Sequence, residues 1–271
     1  MNRMKVLSLP YMLWVCLFTI VPLMIVLFFA LTTKNGEMTI ENISNVGQYF
    51  SVVIKSILLA GVVTLASLLI AYPFSYILSR MEYKTGYFIL LIALLPMWVN
   101  FLLRAYAWVT ILEKNGLLNR VLSFFCSWKL DIINTKIAVA IGMIYNYLPF
   151  MALALFSAMR KINGGMIEAA QDLGAGGFGV FRKVVLPLSM PGVISGVNMV
   201  FVPAVSTFII SRMLGGGSNM LIGDLIDMQF LGNAYNPHVG AAISLVLMIL
   251  TLLCMSLMNQ FGSEDMEGKL I

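Results

Sequence analysis

Charge is what this sequence has least of. Only 11% of its 271 residues are Asp, Glu, Lys or Arg, against roughly a quarter in soluble domains, so a water-soluble globular protein is excluded. Histidine occurs once, as His238, which rules out a histidine-rich metal site. A Ser/His/Asp hydrolase would have to use that residue, and no G-x-S-x-G elbow lies near it. The three cysteines are Cys16 and Cys254 in hydrophobic runs and Cys126 in a loop, a spacing that suits neither a disulfide framework nor a metal. No acid lies within the long apolar runs, which argues against a proton relay or an ion-coupled secondary transporter. Net charge is +5, yet no basic stripe exists to follow phosphates, so nucleic acid is not a partner. Lysine is also missing from residues 184–268, so the glycines of RMLGGGSNMLIGDLIDMQFLGNAYNPH form no phosphate-binding P-loop.

What fills the sequence is oil: 60% of residues are hydrophobic. Six charge-free runs, at 6–33, 56–79, 85–103, 137–159, 184–211 and 239–263, reach the roughly 18–20 residues needed to cross a bilayer as helix. The alternation of a membrane barrel does not appear. The expectation is an all-α, polytopic membrane protein with six transmembrane helices in one domain spanning 1–271, the helices covering about 8–31, 57–79, 86–103, 137–159, 191–211 and 240–260. Membrane lipid is therefore a partner. The first run follows Arg3 and Lys5 like a secretory leader, but it exceeds the roughly 7–15 residues of such a segment and lacks an A-x-A-like site before Lys34, so it reads as a retained helix. Six crossings put both termini on one side. That side carries nine of the 17 basic residues, packed into short segments flanking the helices, and the positive-inside bias makes it cytoplasmic.

Polar residues inside the runs are the candidates for a translocation path. Trp98, Asn100, Tyr106 and Trp108, with Arg104, read either as an aromatic belt or as a lining. Tyr145, Asn146 and Tyr147 fit interhelical hydrogen bonding and substrate contact equally well. Ser206 lies at mid-depth in the fifth run, whereas Gly61, Ala66, Ser67 and Ala71 make the second a packing helix. Asp224 and Asp227 sit on LIGDLIDMQFL, expected as a short amphipathic helix at the outer surface.

EAAQDLGAGGFGVFRKVVLPLSMPG, beginning at residue 168, is polar where its surroundings are not. Asn163 and the glycines after it start a helix, Met166, Ile167, Ala170 and Leu173 face one side, Glu168, Gln171 and Asp172 the other, and Gly174 stops it. A second piece carries Phe178 and Phe181 three apart, and Pro187 disfavours its continuation. The expected product is a cytoplasmic helical hairpin over about 161–187.

E-A-A, three residues, G, then L-P, here Glu168, Ala169, Ala170, Gly174, Leu186 and Pro187, resembles the EAA loop of binding-protein-dependent ABC importer permeases. The resemblance covers nearly the whole chain and implies the type I importer permease fold. It implies that Glu168, Ala169, Ala170, Asp172, Gly174, Phe178 and Phe181 form the coupling helix region that meets a separate ATPase. PMWVNFLLRAYAWVTILEKNGLLN, YNYLPFMALALFSAM and LGGGSNMLIGDLIDMQFL further resemble the B-type permease of spermidine/putrescine transporters. The implied function is a non-enzymatic pore subunit in the bacterial cytoplasmic membrane, importing polyamines by alternating access. Its implied partners are an ABC ATPase dimer, a second homologous permease and an extracytoplasmic solute-binding protein. No cofactor is expected on this chain, ATP and Mg belonging to the ATPase. Alternatives are a permease for another small solute and a stand-alone secondary transporter. Two departures stand out: Gly176, Gly177 and Gly179 would loosen the hairpin, and the IG-N-LI element expected of such permeases has Asp224 in place of the asparagine.

Overall fold

The computed structural model describes residues 10–125, 130–217, 219–232 and 235–267; Cys126 and the expected helix start at residue 8 lie outside them. In chain order the helices are α1 (Pro10–Ala30), α2 (Glu41–Arg80), α3 (Tyr83–Leu94), α4 (Phe101–Leu112), α5 (Leu117–Phe125), α6 (Lys136–Met159), α7 (Gly164–Asp172), α8 (Gly177–Val205), α9 (Ile209–Gly215), α10 (Ile222–Leu231) and α11 (Pro237–Glu267). Helices satisfy every backbone group internally, which is the condition for crossing hydrocarbon. Among the described residues α1, α2, α6, α8 and α11 are long and apolar enough to span, and α3 with α4–α5 makes a sixth if that bent pair is one crossing.

Three elements differ from expectation. The third helix does not run continuously over 86–103: it bends by 90°. Pro96, which lacks an N–H, sits in a 3₁₀ turn at Leu95–Trp98, Val99 is extended, and Asn100 then caps a new helix. The fifth helix does not start at 191. α8 begins at Gly177 and runs through Pro187 and Pro191, because a π turn at Phe181–Val185 immediately precedes the prolines and accommodates the lost hydrogen bonding. It ends at Val205, short of 211, and the second helix starts 16 residues earlier than expected, at Glu41 rather than 57.

The chain forms two compact units, residues 1–53 with 225–253, and residues 54–224 with 254–271. In the first, the turn after α1 is held by Asn42, whose Nδ2 donates to the carbonyls of Ala30 at 3.3 Å and Thr32 at 2.9 Å. His238 Nδ1 lies 3.1 Å from the Phe29 carbonyl in the last turn of α1, which the Thr32 N–H also reaches, at 3.4 Å.

In the second unit α6 is the core. Its buried face includes Val139, Met143, Met151, Leu155 and Met159, and α8 lies along it. Lipid supplies no hydrophobic drive for two apolar helices to associate, so close packing of small residues must do it. Gly192 faces Ala154 and Ala158, and Gly196 faces Met151 and Ala154. Ser67 and Ala71 of α2 are fully buried, as expected of packing residues, and Ser75 donates to the Ala152 carbonyl at 3.0 Å.

Beyond the bend, Asn119 organises the loop between α5 and α6. It is 3% exposed; its Nδ2 donates to the carbonyls of Glu113 and Leu130, and its Oδ1 accepts from the Leu130 N–H at 2.8 Å. Lys114 pairs with Asp131 at 2.8 Å, and this hydrogen bond raises the lysine's pKa; the pair is exposed and contributes little to stability.

The packing and the loop each yield an expected change in stability. In Gly192→Val a Cβ would meet the Ala158 methyl and approach the Ala154 carbonyl at 3.1 Å, so detergent-solubilised protein should lose about 1–3 kcal/mol, read as a lower melting temperature. Gly61→Ala, where a Cβ meets nothing within 4 Å, should melt like wild type. Asn119→Ala removes the side-chain partners of the Leu130 N–H and carbonyl, while the Glu113 carbonyl keeps the Gly116 N–H, and should cost about 1 kcal/mol, with faster amide exchange at Leu130.

Candidate functional site

The hairpin is built from its caps. Asn163 Oδ1 accepts from the Gly165 N–H at 3.0 Å, opening α7. At the other end Gly174 has φ +81°, a conformation that favours glycine. Its N–H donates to the Gln171 carbonyl at 2.8 Å and the Ala175 N–H to the Ala170 carbonyl at 3.0 Å, the paired bonds of a Schellman stop. Gly177 and Gly179 are helical residues of α8, and Gly176 is its extended N-cap. The chain beyond the turn is therefore the start of a spanning helix, not a second free piece.

Ile162, Val180 and Val185 form a small core beneath the hairpin, with Ile167, Ala170, Phe181 and Tyr76 packed on it. Phe181 meets the Tyr72 ring edge-on at 5.7 Å, and the Tyr72 hydroxyl lies 2.8 Å from Ser189 Oγ. Arg160, in the sequence only a basic flank, has a structural duty. Its guanidinium donates to the carbonyls of Ser79 and Met81, both at 2.7 Å, and lies over the Tyr83 ring, closing the last turn of α2. That bond carries no sequence signal beyond a cation near a helix end.

This arrangement corrects the apolar face expected for α7. Only Ile167 and Ala170 turn inward; Met166 is 51% exposed, Leu173 89% and Phe178 76%. Glu168, Ala169 and Asp172 are exposed as well. The hairpin thus presents a rigidly capped, outward surface that mixes apolar side chains with two carboxylates. Phe178 and Phe181 stack at 6.4 Å, one outside and one in the core.

The residues expected along a path are dispersed. Trp108 and Tyr145 meet edge-to-face at 5.2 Å and line a cavity of about 460 Å³ with Arg104. Asn100 is taken up by its own backbone, its Oδ1 accepting from the Leu102 N–H at 2.8 Å. Asn146 is 2% exposed and donates to the Gly142 carbonyl at 2.8 Å. The Tyr147 hydroxyl donates to the Pro203 carbonyl at 3.3 Å, and Ser206 Oγ to that of Val202 at 3.2 Å, so both serve the frayed end of α8. Trp98, Tyr106 and Ser206 remain exposed.

α10 is embedded in the protein, in contrast to the surface helix expected. Gly223 abuts the carbonyls of Ser206 and Thr207, a contact that leaves no room for a Cβ. Asp224, 6% exposed, reaches back to the Leu221 N–H at 2.8 Å, and Ser56 Oγ accepts from the Ile222 N–H. Its carboxylate is thus a helix cap placed at the positive end of the helix dipole. Asp227, one turn further on, is half-buried.

Comparison with known proteins gives this geometry a context. Residues 1–262 match the family of binding-protein-dependent transport system inner membrane components. The chain is 38% identical over 247 residues to the spermidine/putrescine transport system permease protein PotB of Haemophilus influenzae, covering 88% of this chain and 86% of that protein. It is 35% identical over 251 residues to PotB of Escherichia coli, covering 87% and 89%. Among solved structures, a bacterial ABC transporter that imports the acidic polysaccharide alginate superposes with a TM-score of 0.78 at 19% identity, covering 96% of this chain and 95% of that one. The MetNI methionine ABC transporter superposes at 0.59 and 20% identity, covering 80% and 95%. These two likenesses show a shared fold. The family is a non-catalytic membrane subunit whose ATPase is a separate chain. With its helices, its capped hairpin and a match over nearly its whole length, the chain belongs to the inner membrane components of binding-protein-dependent transport systems.

Proposed function

We propose that this chain is a pore-forming subunit of an ATP-driven polyamine importer, and that the outward face of α7 is where it meets the ATPase. The observation that carries the proposal is the exposure of Met166, Leu173 and Phe178 on a hairpin locked at both ends. Large apolar side chains at the tip of a polar loop, rimmed by Glu168 and Asp172, have the makeup of a protein interface rather than of a lipid-facing one. Kinship at 38% and 35% identity with spermidine/putrescine permeases supports the polyamine class.

In this reading the chain works with an ATPase dimer that holds ATP and Mg, a second homologous permease, and a solute-binding protein outside the cell. The chain itself binds no cofactor. It sits in a bacterial cytoplasmic membrane with both termini and the hairpin inside. Closure of the ATPase dimer drags Glu168, Ala169, Ala170, Asp172, Gly174 and Phe178 together with their counterparts, and Phe181 passes the displacement into α2 through Tyr72. Gly177–Val205 is one continuous helix, so the motion would be carried along it toward the break at 206–208. ATP and the loaded binding protein each favour one state, which is the coupling that alternating access requires. A polycation passing the membrane would meet the exposed aromatic faces of Trp98 and Tyr106 and the hydroxyl of Ser206, weak contacts that permit release. Asp227 is the remaining carboxylate in the set, Asp224 being engaged as a cap.

The test is co-purification of the ATPase with the tagged chain, together with spermidine uptake. Glu168→Arg, Leu173→Asp and Phe178→Asp should each insert and fold, since their side chains are exposed, yet weaken ATPase retention by about 30-fold, as loss of a 2 kcal/mol hot spot would. Uptake should fall in parallel. Full retention of the ATPase in all three would overturn the docking face. Uptake of another solute class in preference to spermidine and putrescine would overturn the substrate while leaving the docking face intact.

A further inference from the structure

The cavity beside Arg104 is too apolar, and its charge of the wrong sign, for a polyamine. Its walls, from α2, α3, α4 and α6, are almost wholly apolar and include Pro96, Met97, Trp108, Ile144 and Leu148. At about 460 Å³ it is within the roughly 300–1,000 Å³ range of ligand sites. Arg104 is its one charged lining residue among the described residues. Arg104 Nε is buried without a hydrogen-bond partner, the guanidinium rests on the Phe101 ring at 5.7 Å, and no carboxylate of the described residues pairs with it. Arg104 is half-buried, and a guanidinium in apolar surroundings without a counter-charge is costly, which favours an anion from outside the chain.

Two further features indicate which anion. The chain turns by 90° between α3 and α4–α5, so this arm runs across the direction of the spanning segment. α5 exposes Leu117, Val121 and Phe124 along one side, the pattern of a helix lying in the plane of the membrane interface. Trp108, on this arm beside Arg104, is an aromatic type enriched at the interface and meets Tyr145 of the spanning α6 edge-to-face. Lipid phosphates sit there too. Apolar walls offer nothing to a free inorganic anion, but they match an acyl chain.

We propose that this cavity binds one anionic phospholipid, its phosphate on the Arg104 guanidinium and an acyl chain against Met97, Ile144 and Leu148. The lipid would bridge α3, α4 and α6 across the bend. Such a site requires only that the chain lie in a membrane and is independent of the substrate assigned above.

Native mass spectrometry of the assembled transporter, titrated with phosphatidylglycerol or phosphatidylcholine, tests it. Wild type should take up phosphatidylglycerol about tenfold more tightly than phosphatidylcholine, Arg104→Gln should lose that preference for one lipid, and Arg104→Lys should keep part of it. Equal binding of the two lipids by wild type, or unchanged phosphatidylglycerol binding in Arg104→Gln, would overturn the proposal. So would loss of another subunit from Arg104→Gln with lipid binding intact, which would give the counter-charge to a protein carboxylate. Should Arg104→Gln fail to assemble, dibrominated phosphatidylglycerol quenching of Trp108, read as wild type minus Trp108→Phe, supplies the same decision: quenching beyond that by dibrominated phosphatidylcholine supports the site, and equal quenching refutes it.

Discussion

The close approach of α6 and α8 is the contact on which the second unit depends. Two helices bathed in hydrocarbon gain little by hiding apolar surface from one another, so their association needs backbones near enough for dispersion contacts to accumulate. Gly192 and Gly196 open that distance against Ala154, Ala158 and Met151. Because α6 has buried residues from Ala138 to Met159, α8 is held against a fixed support. It spans about 43 Å at 1.5 Å per residue from the hairpin to the break, long enough to carry a displacement through the bilayer. The prolines that would be expected to interrupt it are passed by a π turn at Phe181–Val185.

Polar side chains, scarce in this chain, are spent mostly on helix ends. Asn100, Asn163 and Asp224 cap starts, Arg160 and Tyr147 close last turns, and Asn119 ties a loop. For the caps inside the spanning segments the cause is the solvent: a free carbonyl or N–H within a bilayer has no water to turn to. Arg104 is the charged exception among the described residues, its buried Nε unpartnered as are the neutral Ser67 Oγ and Asn146 Oδ1.

The features legible in the sequence are the periodic and compositional ones. Charge-free run length identifies the helical membrane class, and Gly174 with the E-A-A triplet identifies the hairpin, because a left-handed stop and a motif are local. The break at Pro96 to Asn100 is harder to read: both residues are tolerated within spanning helices, and only the extended backbone at Val99 and Asn100 reveals that here they end one helix and begin another. Asp224 misleads for a related reason. A capping box shows itself when its partner is a serine or threonine, whereas here the reciprocal N–H belongs to Leu221 and the second acceptor, Ser56, lies 166 residues away. Apolar character alone assigns Met166 and Leu173 to the packed side of α7; that they face outward is the feature most informative about function.

Hydrogen–deuterium exchange across residues 164–181, compared between the isolated chain and the transporter assembled with its ATPase, tests the docking face most directly. The account predicts that amides of α7 and the first turn of α8 become protected on assembly, and that this protection changes when ATP is trapped, while α6 stays the same throughout. Exchange in α7 that is indifferent to the ATPase and to nucleotide would contradict it and leave the capped hairpin as a structural loop.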